Sequence, residues 1–298
     1  MRAKITRTKE RVTNKLNYLM GRLMLALGLR PSSFPYLSGD GFRTLAHHHY
    51  DETGKCQAAD IKEEQRVFVK RDLINEWFEQ VHPRIAYPYV LLTHNSDRNI
   101  GEADLRFIDN KIIRWYAQNA KTKHPKLTPL PLGLNNLYLN YAEKPRLFNK
   151  LKKEHPVRKN RITFAFSIST NPAERQPAYD ALKRSPVADD PVWINDREKY
   201  LRSIMNYKFV GAPDGNGNDD PRRWQAMYVG VVPIVRRTAS MEYFRSLGLP
   251  LHIIDSWEEV ERLSEEDLAT IYEQLKQGFG HEALYADYWI NKIKHHAA

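Results

Sequence analysis

The stretch Tyr207 to Val235, YKFVGAPDGNGNDDPRRWQAMYVGVVPIV, constrains the fold more than any other. Tyr207 to Gly211 is short and apolar enough for a core strand, and Ala212 to Asp220 then gathers Pro213, Gly215, Asn216 and Gly217 among acidic residues, the composition of a loop. Pro221 suits a first helical turn because it lacks an amide hydrogen that would go unpaired there, and Asp219 or Asp220 can cap the amides that remain. A short helix through Trp224 and Met227 follows, Gly230 stops it, and Val231 to Val235 is the continuous apolar run of a strand buried on both faces of a parallel sheet. Loops of this kind sit at the carboxyl edge of parallel sheets, where α/β proteins hold ligands. Glycines let a backbone come close, a helix start offers amide hydrogens to an anion, and Arg222 and Arg223 could grip a diphosphate. Two local readings stand side by side: a nucleotide site, or a glycine-rich loop with solvated arginines.

A chain of 298 residues suits two domains, and 42% apolar residues suffice for real cores. Its 46 basic against 36 acidic residues give a net charge of +10, which favours anionic partners without choosing among phosphates, nucleotides, anionic lipid and nucleic acid. The single cysteine, Cys56, excludes an internal disulfide and a cysteine zinc cluster and fits a reducing compartment. No apolar run approaches the roughly 20 residues of a membrane span. Met1 to Arg30 nonetheless carries Arg2, Lys4, Arg7, Lys9, Arg11, Lys15, Arg22 and Arg30 against Glu10, with Val12, Leu16, Leu19, Leu23 and Leu27 at helical spacing. That describes a basic amphipathic helix, lying on an anionic membrane face or packed on its own domain. The expected location is cytoplasmic, peripheral on the inner face of the membrane.

From Gln65 the chain alternates strands and helices. Val67 to Lys70 reads as a strand, Asp72 to Val81 as a helix, and Tyr87 to Thr93 as the strongest strand of this half, running into His94, Asn95, Ser96 and Asp97. Ile112 to Tyr116 leads to Gln118 and Asn119, and Leu127 to Leu132 leads to Gly133, Asn135 and Asn136. Polar clusters at the carboxyl ends of strands are where cleft residues belong, though Asx turns account for Asn95 or Asp97 equally well. Leu147 to Lys159, rich in lysine with little apolar patterning, is the linker candidate. Arg161 to Phe166 opens a second series, with Ser167, Ser169, Thr170 and Asn171 ahead of a helix from Pro172 to Ala181. Asp196 to Asn206 reads as a helix, Leu251 to Ile254 as a strand, Ser264 and Asp267 have capping-box spacing, and His281 to Ile293 is a last aromatic-rich helix. His47, His48 and His49 are adjacent and cannot share one helix face as metal ligands would, so they read as surface or partly buried histidines.

The run Gly215, Asn216, Gly217, Asp219, Arg222, Trp224, Gln225, Ala226, Gly230 and Pro233 resembles the nucleotide-sugar loop of exostosin-like glycosyltransferases. It departs at Gln225, where that family usually has a glutamate accepting from the donor's ribose, and at Pro221, which replaces a frequent histidine. The fragments SGDGFR from Ser38, WYAQN, HPKL and LPLGLNN are similar to the family's bacterial branch, so the resemblance extends from about Pro31 to the carboxyl end. It implies an α/β, GT-B-like fold: two doubly wound Rossmann-type domains facing across a cleft, with a C-terminal helix crossing back. Residues 31–155 would form the acceptor-side domain, 156–280 the nucleotide-sugar domain and 281–298 the crossing helix, after the basic segment 1–30.

The resemblance further implies transfer of a sugar from a nucleotide-diphosphate donor, UDP-linked, to a hydroxyl of a glycan or lipid-linked acceptor, with inversion. Asp97, His94 or Asp40 would act as base, and Arg43, Asn95, Gln118, Asn119 and Asn135 would face the acceptor. Ser167, Ser169, Thr170, Arg175, Asp214, Gly215, Asn216, Gly217, Asp219, Arg222 and Gln225 would hold the donor. No cofactor or metal is expected, because Asp189 with Asp190 and Asp219 with Asp220 are adjacent rather than spaced as a metal-bridging pair, leaving arginine and helix dipole to stabilise the departing diphosphate. Two alternatives remain. A nucleic-acid-binding protein is suggested by the basic balance and by Trp115, Tyr207 and Trp224 beside Arg or Lys, but no RNA or DNA module signature is present. A non-catalytic nucleotide- or glycan-binding relic is kept open by Gln225.

Overall fold

Successive residues of the central strands point to opposite faces, and both faces are apolar, so each sheet has to be covered on both sides. The computed structural model describes residues 16, 19–24, 26, 27, 29, 30, 32–137, 139, 143–191 and 193–295. The first sheet has the order β2-β1-β3-β4-β5-β6, built from β1 (His48–Asp51), β2 (Gly54–Lys55), β3 (Arg66–Lys70), β4 (Tyr89–His94), β5 (Ile112–Gln118) and β6 (Leu127–Leu130). Only the β1–β2 hairpin is antiparallel. The second sheet is parallel throughout, with the order β10-β9-β8-β7 from β7 (Lys159–Phe164), β8 (Tyr207–Gly211), β9 (Val232–Arg236) and β10 (His252–Ile254). In register, Val210 pairs with Pro233, whose missing amide hydrogen leaves this interior strand one ladder donor short.

On the outer face of the first sheet, Val67, Val69, Leu91 and Trp115 pack with Trp77 and Phe78. On the outer face of the second, Ile162, Phe164, Phe209 and Ile234 pack with Ala178, Leu182 and Trp257. The inner faces meet in one core, where Phe68, Leu92 and Tyr116 of the first unit join Val210, Trp224, Tyr228 and Phe244 of the second. The helix Ala286–Lys294 closes this core with Trp289 and Ile293, and its backbone at Lys292 accepts from the Tyr116 hydroxyl at 3.1 Å. The fold is thus the expected GT-B-like pair of Rossmann-type units with a C-terminal helix crossing back. Trp115 and Trp224 lie inside it at 0% and 1% exposure, so neither ring is a stacking platform for bases.

Two elements differ from their sequence reading, and a third is described only in part. The segment expected as one helix over 72–81 is a π turn, Trp77–Val81, entered through the short pieces Arg71–Leu73 and Ile74–Glu76, and it buries Trp77, Phe78 and Val81 together. Part of the expected linker is the helix Pro145–Leu151, whose Leu147, Phe148 and Leu151 fill the shared core. Of the predicted basic helix over 1–30, residues 1–15, 17, 18, 25 and 28 lie outside the described residues, while 19–24 are helical.

Candidate active site

The carboxyl ends of β3 to β8 all open onto one cavity of about 970 Å³ between the two sheets. Lys70 follows β3, Asn95 to Arg98 follow β4, Gln118 ends β5 and Leu132 follows β6 on one wall. Ala165 and Thr170 follow β7, and Gly215 to Gly217 with Arg222 and Gln225 follow β8, on the other. Parallel strands deliver their loops to the same edge, which is why residues so distant in sequence converge.

The glycine-rich loop forms part of the second wall and also crosses to the first. Asn216 Nδ2 donates to Asp97 at 3.0 Å, the Asn218 amide to Asn99 at 3.1 Å, and the Asp219 amide to the side chain of Asn119 at 3.0 Å. Asp219 in turn accepts from the Leu132 amide at 2.9 Å and from the Trp224 indole. Burial pushes its carboxyl up, against the opposing pull of Arg223. Asn119, held at φ 57°, is therefore an interdomain clasp rather than an acceptor contact.

Asp220 caps the helix Pro221–Tyr228 through the Arg222 amide at 2.9 Å. Burial would raise its carboxyl, but the guanidinium of Arg222 and the bonds it donates carry it down to about 2. The helix start is thus already filled by a carboxylate, which corrects the expectation that its amides lie open to a diphosphate. Arg175 is 2% exposed and spends all three nitrogens on Asp214 O, Ser167 O and Asp220, so it braces the loop instead of presenting a free charge. Asp214 turns its carboxylate to Arg223 at 2.5 Å, away from the cavity lining. Ser167 and Ser169 bond to each other at 2.8 Å outside that lining, while Thr170 belongs to it. Arg222 also engages all three nitrogens, Nε and Nη2 on Asp220 and Nη1 on Ala165 O at 3.0 Å, and what sets it apart from Arg175 is a side chain that stays 22% exposed in the cavity wall.

Two residues of the cavity lining, one on each wall, carry a buried polar atom that is left over. Gln225, 1% exposed, accepts at Oε1 from Arg197 at 3.1 Å, and its Nε2 has no partner among the described residues. Gln118, 4% exposed, has an Oε1 without a partner among the described residues. An unsatisfied buried group costs about 1–3 kcal/mol, so an unpartnered donor and an unpartnered acceptor on two lining residues are groups that a ligand's polar atoms could satisfy. Arg197 is itself fixed by the fully buried Glu143 at 3.2 Å, which also accepts from Asn135 at 3.0 Å. Sequence reading overlooked Arg197, Glu143, Lys70, Asp72 and Trp193, all but Glu143 in the lining. The available signals were a cation in the first turn of a helix, where the macrodipole opposes it, and a tryptophan in a polar run, here 63% exposed.

The three candidate bases separate. Asp97 is exposed in the cavity lining. His94 is buried, with Nδ1 accepting from the Asn95 amide at 2.7 Å and Nε2 directed at Pro131 O at 3.1 Å. Burial pushes its pKa down to about 4, so it is a neutral structural imidazole with no nitrogen free for an acceptor. Asp40 lies outside the cavity lining, bound to Arg30 at 2.6 Å and to Asn95 at 3.1 Å, and burial outweighs Arg30 to hold its carboxyl above the usual range. Arg43 also lies outside it, committed to Asp51 at 2.6 Å and Thr53 at 3.0 Å. Asn95 and Asn135 remain in the first wall.

No protein-family profile matches this chain, and no curated protein matches it in sequence. In backbone trace it is similar to alpha,alpha-trehalose 6-phosphate synthase from Burkholderia multivorans, at 8% identity and a TM-score of 0.43, over 80% of this chain and 72% of that one. It is likewise similar to OtsA in its apo form, at 9% identity and a TM-score of 0.45, over 94% of this chain and 76% of that one.

Proposed function

We propose that the cleft transfers a glycosyl group from a nucleotide-diphosphate sugar, with UDP as the nucleotide, to a hydroxyl of a glycan or lipid-linked acceptor. The observation that carries this reading is the gathering, in the lining of one interdomain cavity, of unpartnered amide atoms on Gln225 and Gln118 with the guanidinium groups of Arg222 and Arg197. Amides suit hydroxyl-rich ligands and guanidinium suits diphosphate oxygens. The resemblance of the loop from Gly215 to Pro233 to a nucleotide-sugar loop supports the same assignment.

In this mechanism the donor lies along the second wall, its diphosphate against the Arg222 guanidinium and the backbone of Gly215 to Gly217. Asp97 takes the proton of the acceptor hydroxyl as the oxygen attacks the anomeric carbon from the first wall. The bond from that carbon to the diphosphate oxygen breaks, its electron pair leaves with the diphosphate, and the in-line displacement inverts the anomeric centre. Arginine charge meets the developing negative charge, so transfer is expected to continue in the presence of a chelator.

Calorimetry with UDP, GDP and single-stranded RNA tests the reading, together with a screen of nucleotide sugars for donor hydrolysis. Selective diphosphate binding that drops at least about ten-fold, or 1.4 kcal/mol, in Arg222→Ala is the expected outcome. RNA binding without diphosphate binding would overturn it.

A further inference from the structure

We propose that the segment from Leu16 to Arg30 is a docking face for an anionic lipid bilayer, fastened to the wall of the cleft by Arg30. Six of the large apolar side chains exposed in the described residues fall in this one segment: Leu16, Leu19, Met20, Leu23, Leu27 and Leu29, at 44–63% exposure. Leu19 to Met24 is helical, and the spacing 16, 19, 20, 23, 27 gathers five of these six side chains on one side of such a helix. An apolar stripe of this size is costly in water and needs a cover.

Charge selects the cover. Apart from Arg30, residues 1–30 hold seven basic side chains against the single acid Glu10. A second copy of this chain would bring the same positive charge to the contact, whereas an anionic bilayer offers both an apolar interior for the leucines and phosphates for the arginines and lysines.

The segment ends at the cleft. Arg30 is bound to Asp40 at 2.6 Å and to Glu52 at 3.1 Å. Asp40 accepts from the Asn95 side chain at 3.1 Å, and its amide donates to Asn136 at 2.8 Å. Asn95 and Asn136 both line the cavity. Only two contacts therefore separate the lipid-facing segment from the first wall. In the transfer reaction proposed above, on which this one consequence rests, the wall nearest the bilayer is the one that receives the acceptor, which fits an acceptor hydroxyl carried on a lipid.

The test is co-sedimentation of the full chain with phosphatidylcholine vesicles that contain or lack phosphatidylglycerol. The chain is expected to sediment with the anionic vesicles, and the Leu19→Glu/Leu23→Glu variant to lose about ten-fold or more in partitioning while keeping its circular dichroism and its diphosphate affinity. Unchanged sedimentation of that variant, or equal sedimentation with pure phosphatidylcholine, would overturn the proposal. So would a wild-type dimer in sedimentation velocity that the double variant abolishes, because the leucines would then cover each other. For the fastening, hydrogen exchange at the Asn95 and Asn136 amides should slow on vesicle binding in the wild type and not in Arg30→Gln; an identical response in both would remove Arg30 from the proposal. None of these readouts requires transfer activity, so the docking face and the enzymatic reading fail separately.

Discussion

Asn216 reaches from the glycine-rich loop across the cleft to Asp97, donating from Nδ2 to Oδ2 at 3.0 Å. The loop proposed to hold the donor thereby orients the carboxylate proposed as base. Asn216→Ala should lower kcat for transfer by about ten-fold while changing diphosphate affinity little, the signature of a group that acts on the chemical step rather than on binding. Steady-state kinetics combined with calorimetry separates the two, and a loss confined to affinity would make Asn216 a binding residue instead.

Gly217 sits so close to Asn119 that a Cβ there would lie 2.5 Å from the amide nitrogen and 2.9 Å from the carbonyl carbon of that side chain. Gly217→Ala must displace the clasp that carries the bond from the Asp219 amide to Asn119, and should cost about 1–3 kcal/mol. Asn119→Gly removes the obstruction and accommodates the backbone at φ 57°. Denaturant unfolding of both single variants and the pair should therefore show strong non-additivity, the pair being more stable than the sum of the single losses implies.

The strands were legible because their apolar runs are short, uninterrupted and bounded by turn residues, and Asp220 was legible as a cap because Pro221 marks the first helical turn. Long-range partnerships were not. Nothing near Arg175 announces that Asp214, Ser167 and Asp220 will consume its donors, since those contacts exist only after β7 and β8 pair. The same holds for Asp219, a loop acid in sequence and an interdomain acceptor for Leu132 in the fold. His94 looked like a base because it ends a strand, but its ring turns inward between Asn95 and Pro131. Arg222 was found because it stands in the first helical turn after the glycine-rich loop, and Gln225 because its run resembles a nucleotide-sugar loop, while Arg197 comes from another helix and joins through Gln225 and Glu143.

His94 makes stability pH-dependent in a defined window. Burial lowers its folded-state pKa from 6.5 to about 4. Above pH 6.5 both states are neutral and the group contributes no slope. Between pH 6.5 and 4 the unfolded chain gains a proton that the folded chain refuses, so stability falls by about 1.4 kcal/mol per pH unit, roughly 3 kcal/mol in all. Below pH 4 both states are protonated and the slope ends. Unfolding free energies at several pH values, compared with His94→Asn, should show this slope in the wild type and its loss in the variant. Parallel profiles would mean that the imidazole is accessible to protons in the folded state.

Gln225 decides what kind of ligand group meets the second wall. Its Oε1 is held by Arg197, which leaves Nε2 as the unpartnered atom, so the hydrogen-bonding capacity left at this position of the cavity lining is a donor's. Gln225→Glu would keep a partner for Arg197 but put a negative charge where the donor stood, beside the Arg222 guanidinium that is proposed to bind the diphosphate. Affinity for UDP should fall about ten-fold, or 1.4 kcal/mol, and the loss should shrink as salt screens the new repulsion. Gln225→Ala should lose less, because it removes one hydrogen bond without adding charge. If Gln225→Glu instead binds UDP more tightly, the ligand is donating at this point, as a ribose hydroxyl would to a glutamate, and Arg197 must then be holding the amide through a different geometry in the bound state.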